Sequence, residues 1–171
     1  MRRFVWSLGV GIMAWAAGCS EGGPVQVEAR DGPAIRAEGL ETRYAWVHGR
    51  DSTVHNADVH KLVVETIERE LTKKGFEKGD TAAAGFWIEY HLTRDKETDA
   101  SVSAHGIEHP VGTVVVRLLD PASRRVIWEA YATARILSNA PPDERKKRVE
   151  EGVHRMFQRM PPRRVERGST N

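Results

Sequence analysis

The 171-residue chain contains a single cysteine, Cys19. One thiol forms no intramolecular disulfide and no multi-cysteine zinc site, so neither holds this fold together. Long apolar runs are equally scarce. Phe4 to Trp15 is the nearest to one, and it falls short of the roughly 20 apolar residues that a spanning helix needs. Charge of one sign is missing as well. The chain has 26 Lys and Arg against 24 Asp and Glu, and without Arg2 and Arg3 the basic count falls to 24, an even balance. Such a domain lacks the basic footprint of nucleic-acid binding, and no nucleic-acid partner is expected. Glycine-rich phosphate loops, a Ser/His/Asp order and paired-carboxylate motifs are also missing, so the sequence predicts a protein that is not an enzyme and carries no cofactor.

What is present begins at the N-terminus. Arg2 and Arg3, the apolar stretch Phe4 to Trp15 and the small residues Ala16-Ala17-Gly18 before Cys19 follow the layout of an export signal. Ser20-Glu21-Gly22-Gly23-Pro24 then ends the apolar run abruptly. Ala16-Ala17-Gly18-Cys19 resembles the bacterial lipobox. That resemblance implies a signal peptide of residues 1–18, a diacylglycerol on the Cys19 thiol and acylation of the new amine. At about 0.8 kcal/mol per buried methylene, two or three acyl chains make a durable anchor without a spanning helix. Cys19 is therefore the expected lipid-attachment residue, and membrane lipid its partner. An ordinary secretory signal with an incidental cysteine is the weaker alternative, because it leaves an exported domain with an unpaired thiol. Ser20 follows the cysteine where Asp would retain the protein at the inner membrane in the enterobacterial scheme, which implies the outer membrane, facing the periplasm. Other lineages sort differently, so the inner membrane is the alternative.

Residues 19–39 are rich in Gly, Pro, Ala and charge and read as a lipidated N-terminus and flexible tether, in which Val25-Gln26-Val27 offers a short edge strand. Arg43 to His48 predicts a strand with Tyr44 and Trp46 on one face. Val59, Leu62, Val63, Ile67 and Leu71 recur at steps of three and four, predicting a helix capped by Asn56 or Asp58. Lys73-Lys74-Gly75-Phe76 ends it, with Gly75 left-handed and Phe76 folding back onto Leu71. Phe86 to Leu92 alternates as a half-buried strand, and the polar, aperiodic stretch Arg94 to Pro110 reads as a long loop. Thr113–Leu119 and Val126–Ala132 flank the turn Asp120 to Arg124 and predict an antiparallel hairpin. A second helix is expected from Asp143 to Arg159, stopped by Pro161-Pro162, and residues 163–171 read as a basic disordered tail. The expected fold class is α+β: residues 40–162 form a single, largely antiparallel sheet of four or five strands with two helices on one face. The element order is (β)-β-α-β-β-β-α.

Six of these segments together resemble the bacterial lipoprotein family known as domain of unknown function 4136. They are Thr42 to Trp46, Leu71 to Phe76, Phe86 to His91, Gly112 to Asp120, Val126 to Ala132 and Met156 to Pro162. The resemblance implies an α+β domain exported as a lipoprotein and brings no catalytic residues with it. Ala84-Gly85 and Met160-Pro161 depart from the family's usual Ala-Asp and Phe-Pro, both at element boundaries.

Several constellations invite chemistry. His105-Gly106-Ile107-Glu108-His109 has the H-x-x-E-H spacing of an inverted zinc-protease motif. That chemistry needs helical spacing, whereas Gly106 and Pro110 disfavour a helix, so a solvated loop is the stronger reading. His48, His55, His60 and His91 have no spacing that requires a metal. Of the strand aromatics, Trp87 is expected opposite the Phe86, Ile88 and Tyr90 face, beside His91, as a surface contact; the others are expected in the core. Arg163, Arg164 and Arg167 offer a contact to anionic headgroups or peptidoglycan. These readings predict a non-enzymatic binding or structural role in the cell envelope, with another envelope protein or peptidoglycan as partner, met through a strand edge or the Arg94 to Pro110 loop. A small-ligand carrier with a pocket between sheet and helices is the alternative, and a zinc hydrolase using His105, Glu108 and His109 is the remotest.

Overall fold

Alternating apolar residues in four segments of the chain lay down most of a sheet, and two amphipathic helices cover one of its faces. The computed structural model describes residues 23–47, 52–99 and 107–164. Cys19 and the signal segment, His48, His105 and Arg167 lie outside them. The elements are β1 (Gln26–Asp31), β2 (Arg43–Trp46), α1 (Ala57–Lys73), β3 (Glu77–Lys78), β4 (Phe86–Asp99), β5 (Ile107–Leu119), β6 (Val126–Arg135) and α2 (Pro142–Gln158).

The α+β class holds, but the described sheet has six strands in the order β1-β6-β5-β4-β2-β3 and is mixed. It is therefore neither four- or five-stranded nor simply antiparallel. The pairs β1–β6, β6–β5 and β5–β4 are antiparallel, whereas β2 pairs parallel with both β4 and β3. The parallel pairing follows from connectivity. After β2 the chain crosses through α1 before it returns to the sheet, so the incoming strand runs in the direction of the outgoing one. β3 escapes sequence reading because it is two residues long.

The second correction concerns the expected loop from Arg94 to Pro110. β4 and β5 stay paired out to Asp99↔Ile107, whereas β6 stops pairing with β5 at Val111↔Arg135. Beyond that point the hairpin is a two-stranded ribbon with no third strand among the described residues, and its sequence lacks an alternating apolar pattern. Cross-strand charge takes over, and Lys96 Nζ donates to Glu108 at 2.7 Å.

At the ends of the domain, two stretches expected to be loose are in contact with it. Residues 19–39 include the whole of β1, and Val25 is 3 % exposed. Arg163 bridges to Leu40, while Arg164 pairs with Glu38 at 3.0 Å and with Glu41.

Local signals explain α1 well. Asn56 Oδ1 accepts from the backbone N–H of Asp58 and of Val59, capping the helix. At the other end Gly75 has φ +79°, its N–H donates to Thr72, and the Phe76 N–H donates to Leu71. Phe76 thereby turns inward and meets the Phe86 ring edge-on at 5.4 Å. The core lies between the helices and one sheet face. Val63, Ile67 and Leu71 of α1 and Val153, Met156 and Phe157 of α2 are fully buried against Tyr44, Phe86, Ile88, Leu118 and Trp128. Each such side chain contributes about 1.5–3 kcal/mol.

Candidate functional site

The helix-facing residues of β6 shrink along the strand from Trp128 to Ala130, Ala132 and Ala134. Those of α2 shrink in parallel, from Phe157 and Met156 through Val153 to Gly152. Trp128 and Phe157 meet at 6.0 Å and fill one end of the space between the layers. At the other end the small residues leave a cavity of about 370 Å³, open to solvent and within the range of small-ligand pockets. Its apolar wall includes Val59 of α1, Leu92 of β4, Val114 of β5, Ala132 and Ala134 of β6 and Val149 of α2. Arg94, Arg135, Arg145 and Arg148 also line it, and among the described residues no acidic one does.

The chain's entry into the domain runs beside this cavity. Arg148 donates to the Gly23 carbonyl at 3.1 Å, Arg155 to that of Val25, and Arg159 to that of Val27 at 2.7 Å. These arginines lie along one side of α2 and clamp residues 23–27 to it. Gly152 makes the close approach possible. A Cβ there would stand 3.1 Å from the Ala132 Cβ and 3.3 Å from a Val25 methyl.

The sheet face away from the helices carries a row of charge. Glu89, Arg117, Glu129 and Arg30 are direct cross-strand neighbours on β4, β5, β6 and β1 and alternate in sign. Glu129 is central, accepting from Arg117 and from Arg30 Nε at 2.9 Å. Burial alone would raise its pKa, but hydrogen bonds from Tyr131, Arg117 and Arg30 outweigh it and hold the carboxyl at about 2. Arg117 reaches Glu89 at 3.4 Å and stays charged for the same reason. Nothing in the sequence alone marks this row, because it exists only once four strands are in register.

Trp87 and His91 lie on this second face, as expected from Phe86 and Ile88 being buried on the first. Trp87 is half-buried. Its Nε1 donates to the Thr81 carbonyl at 3.2 Å, and the Arg124 guanidinium sits 5.9 Å from its ring centre. His91 is half-buried two steps along the strand, between β5 and the edge.

The histidine constellations do not assemble. Glu108 and His109 are consecutive on β5, so their side chains project to opposite faces and cannot address one ion together. The Glu108 carboxylate is engaged by Lys96. His60 ties α1 to the sheet: its Nε2 contacts the Val54 carbonyl at 2.7 Å and its Nδ1 the Tyr90 hydroxyl at 2.9 Å. Because a carbonyl only accepts, Nε2 donates to Val54, and Nδ1 shares a hydrogen bond with the Tyr90 hydroxyl. Among the described residues no group of three or more His, Cys, Asp or Glu is placed to hold a metal ion, and no helix is long and apolar enough to cross a membrane.

A small mixed sheet with two helices on one face and a cavity between the layers defines a two-layer α+β architecture. Within that class the chain belongs to the family described as Domain of unknown function (DUF4136), whose model matches residues 38–162. No functionally curated protein matches the sequence. Among solved structures the chain resembles the PelC dodecamer from Paraburkholderia phytofirmans, with 14 % identity and a TM-score of 0.50 over 78 % of this chain and 94 % of that one. A minor lipoprotein from Acinetobacter baumannii is more distant, with 11 % identity and a TM-score of 0.40 over 69 % of this chain and 87 % of that one. At these identities the likeness is one of fold.

Proposed function

We propose that the chain is an exported lipoprotein, held at the outer membrane facing the periplasm by lipid on Cys19, whose domain binds rather than catalyses. Delivery to the inner membrane is the alternative. The lipobox-like Ala16-Ala17-Gly18-Cys19 supports the anchor, and the α2 clamp supports its mechanical role. Gly23 is fixed to Arg148, so only three residues, four steps of the chain, separate the lipidated cysteine from the folded domain. They span at most about 14 Å. The domain therefore rests against the membrane surface rather than swinging on a long tether, within reach of another envelope protein or peptidoglycan. Labelled palmitate tests this. The wild-type chain should incorporate label and sediment with membranes, and Cys19→Ala should do neither. A Cys19→Ala variant that still labels would contradict the proposal.

The cavity favours a second reading, a small-ligand carrier, which is compatible with the first. Trp128 and Phe157 pack at the far end and leave the space between Val59 and Val149 open.

A further inference from the structure

The cavity's two walls differ in chemistry, and the difference points to a ligand class. One wall is aliphatic, and the sheet supplies it with residues no larger than Leu92. The other is lined by arginines from separate elements, Arg94 on the helix-facing row of β4 and Arg145 and Arg148 of α2; Arg135 of β6 borders it as well, but its side chain projects from the opposite sheet face. Arg94 and Arg145 are exposed, at the mouth, while Arg135 and Arg148 are half-buried. Arg94 belongs to the helix-facing row Arg94↔Gly112↔Ala134, whose other members are small, and the Ile136 side chain covers Gly112, 3.4 Å from where a Cβ would stand. The N-terminal turns of both helices reach the same region, through Asn56 and Val59 of α1 and Arg145 of α2, and their dipoles add positive potential. Asp143 and Glu144 stand in the first turn of α2 but do not line the cavity.

We propose that this cavity takes a free amphipathic anion: an unbranched acyl chain ending in a carboxylate or phosphate, its tail against Leu92, Val114 and Ala134 and its head at Arg94 and Arg145. The proposal rests on the carrier reading and names its ligand. The acyl groups of Cys19 are a second source of the same tail, since Val25 lines the cavity and is six residues from that cysteine. They are ester- and amide-linked and carry no charge, so they leave the arginine wall unused. Charge complementarity therefore favours a free anion.

Photolabelling of the full lipidated protein in membrane vesicles tests it, with diazirine analogues of dodecanoic acid and of dodecanol as matched charged and neutral probes. The acid should label peptides containing Val59 or Val149, about tenfold more than the alcohol does, the difference that charge-assisted hydrogen bonds to the head supply. The double variant Arg94→Ala/Arg145→Ala should bring acid labelling down to the alcohol's level and leave the alcohol unchanged. Ala134→Trp, or Val149→Trp should the first fail to fold, should suppress both. Equal labelling by acid and alcohol in the wild type, suppressed by the Trp variant alone, would overturn the anion while leaving a carrier. Labelling that appears only when Cys19→Ala is exported on an ordinary cleavable signal would overturn the free ligand in favour of the chain's own acyl groups. No cavity labelling in either form would overturn the ligand and the carrier together.

Discussion

Glu129 sets the terms at the scale of single residues. It is 5 % exposed on the sheet face opposite the helices, and a carboxylate there is stable only because Arg117, Arg30 and Tyr131 surround it. Its folded pKa of about 2 lies below its ordinary value of 4.5. The group therefore contributes stability that is complete above about pH 4.5 and is lost as pH falls towards 2. Glu70 and Asp120, also buried, are shifted in the same direction. Burial opposes the shift at Glu70, where Lys73 and His154 outweigh it; at Asp120 the leading cause is the Ser123 N–H. Glu129→Gln should cost on the order of 3 kcal/mol at pH 6 by leaving two arginines without their shared acceptor. It should also flatten the acid limb, so that wild type and variant converge only as pH approaches 2 in urea-unfolding measurements. Parallel pH profiles would show that the row of charge does not act as a unit. Little of this was legible beforehand. Glu89, Arg117 and Glu129 each stand among apolar strand residues, an anomaly visible in sequence, but their partnership depends on register.

Elements divide by whether one chain segment carries its own instructions. α1 does. Its stripe, the Asn56 cap and the Gly75-Phe76 ending are local, and all are observed. Gly75→Ala isolates the ending, because a Cβ there would meet nothing closer than Arg163 Nε at 3.6 Å. The cost is backbone strain alone, about 1 kcal/mol, read as a melting temperature lower by about 2–4 °C. A larger drop would imply packing at that position, and no drop would mean the left-handed turn relaxes freely. The β4–β5 ribbon is the opposite case. Beyond Val111 no third strand among the described residues pairs with it, and its mostly polar sequence reads as loop. The cavity was hidden for a similar reason. Ala132 and Ala134 suggest nothing until β6 is set opposite Val114 and Gly112 and beneath α2.

At the scale of the whole molecule, the clamp of α2 on residues 23–27 joins the chain's entry into the domain to the cavity. Arg148 both holds Gly23 and lines the cavity. The proposed export and lipidation rest on contiguous residues, Ala16-Ala17-Gly18-Cys19 and the apolar stretch before them, and so need no tertiary structure to be read. The shortness of the leash was not legible in that way, because Val25 to Asp31 looks like tether composition until it pairs with β6. All of this depends on the chemical state of one residue. Intact-mass and N-terminal peptide analysis of the protein purified from membranes measures it directly. The account predicts a mature chain beginning at Cys19, heavier than its sequence by a diacylglycerol and an N-acyl group. A mature chain with a free Cys19 thiol, or one beginning at another residue, would contradict it.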